Sequence, residues 1–394
     1  MKQQYRRIQV ITILSVFFLG STQLIINPAL QELSQQYGDI PYTRILMLAT
    51  VPNLMVALLA APTGRLAGNK VSYKTLVIFA GIISALGGAL PFFLHNFQGV
   101  FAARVLFGIG VGIATPLGNA IIMRLYEGNQ RAAMVGLGST VMCGAGMIYQ
   151  ALSGYVTVIN VKYFWLVHLV VLIPALLTLF FLPDIKEEKD AIDSEKAKGT
   201  RLPASVYWLS IGFGMVFMCF YPLMLNMSSI VVAKNIGDAA TAGTILTMYT
   251  VGGMIGGLLF GYFYRIVKDY ALFILFGIQI IGLAICNFSE SAALLMCGTF
   301  LNGLAVFMLS STVLLEIGKH VTKEQSSAAT GMMMAIWNLG TFCSTLYMGA
   351  ISKLSGNDSP GFPVFLGMIF TILIGVIWGT LKIREMRHRK NIQK

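Results

Sequence analysis

Long apolar runs separated by short polar breaks organise the chain. They fall near residues 8–30, 43–63, 74–95, 99–123, 132–158 and 162–182, and after a polar stretch near 204–232, 241–264, 271–289, 292–317, 326–351 and 361–382. Crossing roughly 30 Å of hydrocarbon at 1.5 Å per residue takes about 20 apolar residues. Each run therefore predicts one membrane-spanning helix, twelve in two groups of six. The basic start followed by an apolar stretch has the outline of a signal peptide, but Asn27-Pro28 and a polar amphipathic segment stand where a small-residue cleavage pattern would be. It reads as the first, uncleaved span.

Composition removes the alternative that 394 residues make two or three soluble domains. The AVILMFWYC set supplies 56% of the chain and charged residues 11%, against about 25% charged in a soluble protein. The predicted class is an all-α integral membrane protein. Its net charge of +12 needs no nucleic acid, because its placement follows topology. Loops on the N-terminal side hold 23 of the 28 Lys and Arg, and the opposite loops hold Arg44, Lys162, Lys234 and Lys353. That asymmetry predicts a cell-membrane protein with both termini cytoplasmic, its basic tail serving as a topology anchor or touching anionic lipid.

Five cysteines inside apolar runs read as reduced packing residues. Four histidines are scattered at 95, 168, 320 and 388. Without a metal cluster, Walker loop or nucleophile elbow, neither an enzyme nor an ATP-driven pump is expected, and no cofactor.

The two groups of six are related. A shift of 195 residues places Gly108 on Gly303, Gly136 on Gly331 and Gly154 on Gly349, and a shift of 197 places Gly64 on Gly261. The expected organisation is a six-helix bundle over 1–182, a charged linker over 183–203, a second bundle over 204–382 and a basic tail over 383–394. Duplicated halves around a midplane site are the architecture of alternating-access carriers.

Two local motifs give the chain a wider resemblance. The loop from Gly64 to Leu76 is similar to the G-x-L-A-D-R-x-G-R-R loop of the major facilitator superfamily, and Arg104-Val-Leu-Phe-Gly108-Ile-Gly110 is similar to that family's R-x-x-x-G-x-G. Gly64, Leu66 and Ala67 fit the first motif as its gating loop. Gly68 stands at the acidic position, Asn69 at the basic one and Val71 at the second glycine. In the family the acid helps latch the cytoplasmic gate, so a latch of the usual kind is in doubt. Residues Gly138 to Gly154 resemble the glycine-rich stretch of the family's drug:proton antiporters, but Tyr149-Gln150 and Ser153-Gly154 depart from its pattern. The resemblance implies two pseudo-symmetric bundles, with spans 1, 4, 7 and 10 lining a cavity, helped by 5, 8 and 11, and spans 3, 6, 9 and 12 peripheral.

Within that frame Arg104 stands out, about five residues into its span and so roughly 8 Å deep. An intramembrane arginine needs a wet cavity or a partner, so it is the prime candidate for substrate contact or coupling; snorkelling to headgroups is the bland alternative. Carboxylates that a proton-driven carrier could use are few. Glu32 lies at the outer end of span 1, and Glu316 near the cytoplasmic end of span 10, where a rim residue is the competing reading. His168 titrates in a useful range but falls in a peripheral span, where a packing role is favoured. Candidate substrate-binding residues are Gln23 and Asn27, four apart on one helix face, with Gln150, Tyr221, Asn226, Asn302, Trp337 and Asn338. Each amide could instead bond across a helix pair. Methionines and aromatics such as Trp337 and Tyr149 would form an adaptable apolar wall.

The leading expectation is export of a small amphipathic compound, drug-like or self-made, in exchange for protons by a monomer. The alternative is proton-coupled uptake of an anionic or polar nutrient with Arg104 as counter-charge. A lipid flippase or transporter-like sensor is a third possibility.

Overall fold

A computed structural model describes residues 7–68, 70–182 and 202–392. Lys2, Arg6, nearly all of the linker and the last two residues lie outside the described residues. Among the described residues the chain forms twelve long helical segments: α1 Arg7–Gln36, α2 Tyr42–Leu66, α3 Tyr73–Phe93, α4 Phe97–Leu125, α5 Gly128–Ile159, α6 Val161–Phe181, α7 Ala204–Ala233, α8 Ala239–Val267, α9 Ala271–Phe288, α10 Ala292–Gly318, α11 Lys323–Ser355 and α12 Phe362–Ile392. Ten stretches are long and apolar enough to cross a membrane. One of them, Ala239–Phe288, is α8 and α9 joined by a 3-10 turn that begins at Lys268, whose φ is 47°. α11, at 33 residues, is less apolar because Ser, Thr, Gly and Asn are interleaved along it; counting these two, the twelve-helix expectation holds.

α1 and α7, the first helices of the two halves, are both broken. α1 passes through a 3-10 stretch over Thr22–Ala29 that contains Pro28, and α7 turns at Tyr221 before Pro222. Proline removes a backbone donor, and in a membrane such irregular backbone is tolerated where protein or a cavity surrounds it.

The glycine pairs behave as equivalents. A Cβ on Gly108 would meet Cα of Pro52 in α2 at 2.7 Å, and its counterpart Gly303 abuts the Tyr249 carbonyl of α8. A Cβ on Gly154 of α5 would meet the Ala239 carbonyl of α8 at 2.6 Å; one on Gly349 of α11 would meet Thr43 of α2 at 2.9 Å. Gly64, Gly136, Gly261 and Gly331 all face open space. Matched surroundings at four pairs make the internal repeat a repeat of packing.

Twelve antiparallel passes put the start of α1 and the end of α12 on one face, here the terminal face; the other is the distal face. The halves meet through α2 with α11, α5 with α8 and α1 with α7, toward their distal ends. There Gln31 N–H donates to Ser228 Oγ (3.0 Å), and Tyr42 Oη reaches Asn226 Oδ1 (3.1 Å) and Ser229 Oγ (2.7 Å). Ser229 Oγ in turn donates to Gln31 Oε1 (2.5 Å), and the hydroxyls of Thr50 and Thr345 lie 2.8 Å apart. On α2, α5, α8 and α11 the glycines Gly64, Gly136, Gly261 and Gly331, which face open space, lie toward the terminal face, away from these contacts.

The loop after α2 explains its own departure from the family motif. Gly68 has φ 78°, a conformation L side chains rarely adopt, and donates its N–H to the Val71 carbonyl at 2.9 Å. A Cβ there would also meet the Tyr73 ring at 2.8 Å. The position where the motif carries its acid is a tight backbone turn roofed by an aromatic ring. Leu66 is exposed, Ala67 is buried and bridges to Val71, and Gly64 faces open space.

Candidate substrate site

Arg104 is fully buried, seven residues from the start of α4. Its Nε donates to the Leu48 carbonyl of α2 (2.7 Å), and Nη1 donates to Nε2 of His168 in α6 (3.2 Å). The guanidinium carbon lies 4.2 Å from the centre of the Phe107 ring and 5.9 Å from that of Trp165, an arrangement that stabilises a desolvated cation. Nη2 has no partner, and among the described residues no carboxylate pairs with the group. Gly88 makes the arrangement possible: a Cβ on this α3 residue would meet the His168 ring at 2.5 Å.

More unpartnered polar atoms lie on α1 and α5, which pack on each other. They are Gln23 Oε1, both side-chain polar atoms of Asn27, Gln150 Oε1 and the Tyr149 hydroxyl. Gln150 spends its Nε2 on the Gly146 carbonyl of its own helix (3.2 Å), and the Tyr149 ring packs edge-on against Phe18. Buried polar groups are seldom left without a partner, so a group of them on two adjoining helices calls for water or a solute. Tyr221, at the break in α7, faces Asn27 and is within electrostatic reach of Arg104. It brings the second half to the same place.

The C-terminal half adds rings. Trp337 of α11 packs on Phe217 of α7 with centroids 4.8 Å apart, and the path continues through Phe220 and Tyr249 to Phe307 at separations of 6.2, 5.5 and 5.9 Å.

Other candidates fall elsewhere. Asn226 belongs to the distal seal, accepting from Tyr42 and donating to the Pro360 carbonyl at 2.8 Å. Asn302 turns toward α9: its Nδ2 donates to the Gly298 carbonyl (2.8 Å) and would meet a Cβ on Gly282 at 2.6 Å. The reason is geometric. Gly303 faces α8, and one residue along a helix is a rotation of about 100°. Asn338 bonds the Met334 carbonyl of its own helix at 2.8 Å. Glu32 lies at the distal end of α1 with Oε2 buried and unpartnered. Glu316 has the rim position: its oxygens accept from Lys319 of its own helix end (2.8 Å) and Lys382 of α12 (3.1 Å). His168, expected as a packing residue of a peripheral span, is buried against Phe107 and Trp165 and is also the neighbour of Arg104. His168 and Arg104 are 64 residues apart, which no local pattern could reveal. The distal seal residues Gln31, Tyr42, Ser228 and Ser229 were not singled out from sequence either; they are common polar residues at helix ends.

Two pseudo-symmetric helical bundles, each begun by a broken helix and together enclosing buried polar groups, define a membrane carrier fold. The family model described as the Major Facilitator Superfamily matches residues 12–230 and 209–394. The chain belongs to that superfamily and is a multi-pass membrane transporter. It is similar to the Protein TsgA of Shigella dysenteriae serotype 1 (strain Sd197) and of Escherichia coli O157:H7, each 23% identical over 299 residues and 73% of both chains. Its fold is similar to that of a bacterial homologue of the human lysosomal transporter Spinster in an inward-facing, occupied conformation. There the TM-score is 0.73 at 16% identity, over 98% of each chain. It is also similar to a mutant of the nucleoside transporter NupG, with a TM-score of 0.75 at 12% identity over 95% of this chain and 98% of that one.

Proposed function

We propose that this protein is a secondary carrier of small amphipathic anions, such as a carboxylate or phosphate on an apolar or aromatic body, working by alternating access in the cell membrane with both termini cytoplasmic. The observation that carries this reading is the Arg104 guanidinium, buried in a membrane helix with Nη2 unpartnered and no carboxylate among the described residues paired with it. A buried charge seeks a counter-charge, and a solute can supply one. In this reading Gln23, Asn27, Gln150 and Tyr221 hydrogen-bond the solute's polar end. The rings from Trp337 to Phe307 receive its apolar body.

This ranks proton-coupled uptake of an anion ahead of export of neutral or cationic drugs by proton antiport. The aromatic path keeps export of an amphipathic compound as the second reading, because rings of this kind accept varied lipophilic bodies. Asn226, Asn302 and Asn338 drop out of the solute contacts, and a monomer holds the whole pathway.

The test is uptake into liposomes containing the purified protein, under an imposed pH gradient, with benzoate, phenyl phosphate, a neutral aromatic amide, a lipophilic amine, a dipeptide and a sugar. The expected result is accumulation of the two anions, lost in Arg104→Ala. Accumulation of the amine or amide with no anion transport would overturn the anion reading and favour drug export. No protein-dependent flux in any arm would favour a sensor.

A further inference from the structure

We propose that His168 is the transport-coupled proton site, and that proton and anion bind together. The inference rests on the anion reading above. Its basis is the geometry on the two ring nitrogens. Nδ1 lies 3.1 Å from the Trp165 carbonyl, and Nε2 lies 3.2 Å from Arg104 Nη1. A carbonyl can only accept and a guanidinium can only donate. The ring is thereby fixed as the neutral tautomer, with its proton on Nδ1 and its lone pair on Nε2 turned to the arginine.

A proton added at Nε2 turns that acceptor into a donor. Two N–H groups would then oppose each other across 3.2 Å, and two cations would share a water-poor site. The pair can hold the proton only if an anion comes between them or Arg104 moves away.

The surroundings offer no internal substitute. α4 contributes Arg104 itself and the Phe107 ring, 5.0 Å from the imidazole centre and edge-on. α6 contributes the stacked Trp165 ring, α3 the backbone of Gly88, and α2 the Leu48 carbonyl, already engaged. The α1 segment packed nearby, Thr22–Ala29, contains no titratable side chain, and α7 brings the Tyr221 phenol toward Arg104. Among the described residues, no carboxylate faces the imidazole from these elements.

The missing negative charge is then the solute's. An anion seated between Arg104 and His168 accepts from Nη1, from the otherwise unpartnered Nη2, and from Nε2–H of the protonated imidazole. The solute favours the proton and the proton favours the solute, by the same factor, as linkage requires. Without solute, the Arg104 contact keeps Nε2 unprotonated and so limits proton leak. This gives symport of one proton with each anion, without a membrane-embedded carboxylate.

The experiment is calorimetry on the purified protein in lipid nanodiscs, titrated with benzoate and with benzenesulfonate, whose own charges barely change over the range, in two buffers of different ionisation enthalpy, across pH 5 to 8. The wild type should take up about one proton per anion bound at the alkaline end, where affinity falls about tenfold per pH unit. His168→Gln keeps an acceptor for Arg104 but cannot take the proton. It should bind the anion more weakly, with no proton uptake and a flat pH profile, and in liposomes accumulation driven by a pH gradient should be lost while whatever anion exchange remains is independent of pH.

Wild-type binding without proton uptake overturns the inference and leaves the anion carrier standing, and so does undiminished proton uptake by His168→Gln. Failure of both anions to bind overturns both readings. Should His168→Gln not fold, the imidazole nitrogen resonances of the wild type decide. Anion binding must convert Nε2 from lone-pair-bearing to protonated at a pH where the free protein shows the neutral ring; an unchanged ring refutes the site.

Discussion

In the N-terminal half the deeply buried charge is Arg104, near the distal end of α4, held by a carbonyl, an imidazole and two aromatic rings, with no carboxylate among the described residues paired with it. In the C-terminal half it is the pair of Glu316 and Lys382, at the terminal-face end of α10, with Lys319 closing the second carboxylate oxygen. The frames around them are duplicates: Gly108 packs on α2 as Gly303 packs on α8. The repeat offset of 195 carries Arg104 onto Thr299, a buried residue whose hydroxyl lies 3.7 Å from Cys286 Sγ. Duplication thus preserves the small residues that let helices approach and leaves the polar groups free to diverge. Under the proposed function, the charge without a counter-charge handles solute, whereas the charge paired on both oxygens holds structure.

The sharpest way to break that contrast is Arg104→Thr, which gives α4 the residue of its counterpart. Anion transport in liposomes should fall to background. Thermal stability should also drop, because the Leu48 carbonyl and His168 Nε2 each lose a donor, at a cost of about 1–3 kcal/mol per buried group. Anion transport surviving in a folded Arg104→Thr protein would show that the buried arginine is structural too.

Glu316→Gln probes the other side of the comparison. It removes the charge facing Lys382, which is 6% exposed, and breaking a buried pair from one side costs about 3 kcal/mol. The expected result is a lower melting temperature with pH-driven transport intact in the protein that remains folded. A stable variant that has lost proton coupling would instead make Glu316 the coupling residue and move the function to the C-terminal half.

Which parts of this were readable from sequence follows from the range over which each feature is encoded. Twelve spans are legible because each is a continuous apolar run, and the repeat is legible in part because glycine is hard to replace where helices touch, as at Gly108 and Gly303. Arg104 is legible because charge inside an apolar run is costly. Its partner is not: His168 lies 64 residues away, and an α6 histidine becomes significant only when Gly88 leaves room for its ring. Asn302 misled for a similar reason, since its helix was expected to line a cavity while its side chain is rotated onto α9. The distal seal was hidden as well, being built of Gln, Ser and Tyr residues that carry no pattern of their own.

Glycines of one helix at its two ends allow the contact face and the open face to be compared directly. Gly154→Leu drives a side chain into the Ala239 carbonyl of α8, and overpacking of this kind costs about 1–3 kcal/mol. It should lower the melting temperature and loosen the distal contact. Gly136→Leu meets open space in the present conformation, so stability should change by less than about 0.5 kcal/mol. If the halves rock until their terminal-face ends meet, the same side chain obstructs closure. Transport should then fall several-fold in a fully stable protein. Unimpaired transport in Gly136→Leu would mean that this face of α5 never meets the other half.

The smallest expected effect concerns the distal seal itself. Tyr42→Phe deletes one hydroxyl and with it the contacts to Asn226 and Ser229. Ser229 keeps Gln31 and Asn226 Nδ2 keeps the Pro360 carbonyl, whereas Asn226 Oδ1 loses its donor. The loss is then one interhelical hydrogen bond, with its acceptor left bare while the seal is closed, about 1 kcal/mol, enough to move the equilibrium between the two access states about fivefold without unfolding either. Spin-label distances between the distal loops at residues 37–41 and 234–238 should show a larger separated population in Tyr42→Phe, with the melting temperature nearly unchanged. An unaltered distribution would assign closure to the backbone contacts at Gly154 and Gly349 and to the Thr50–Thr345 pair. The seal would then be held by packing, with the hydroxyl network filling the space that packing leaves.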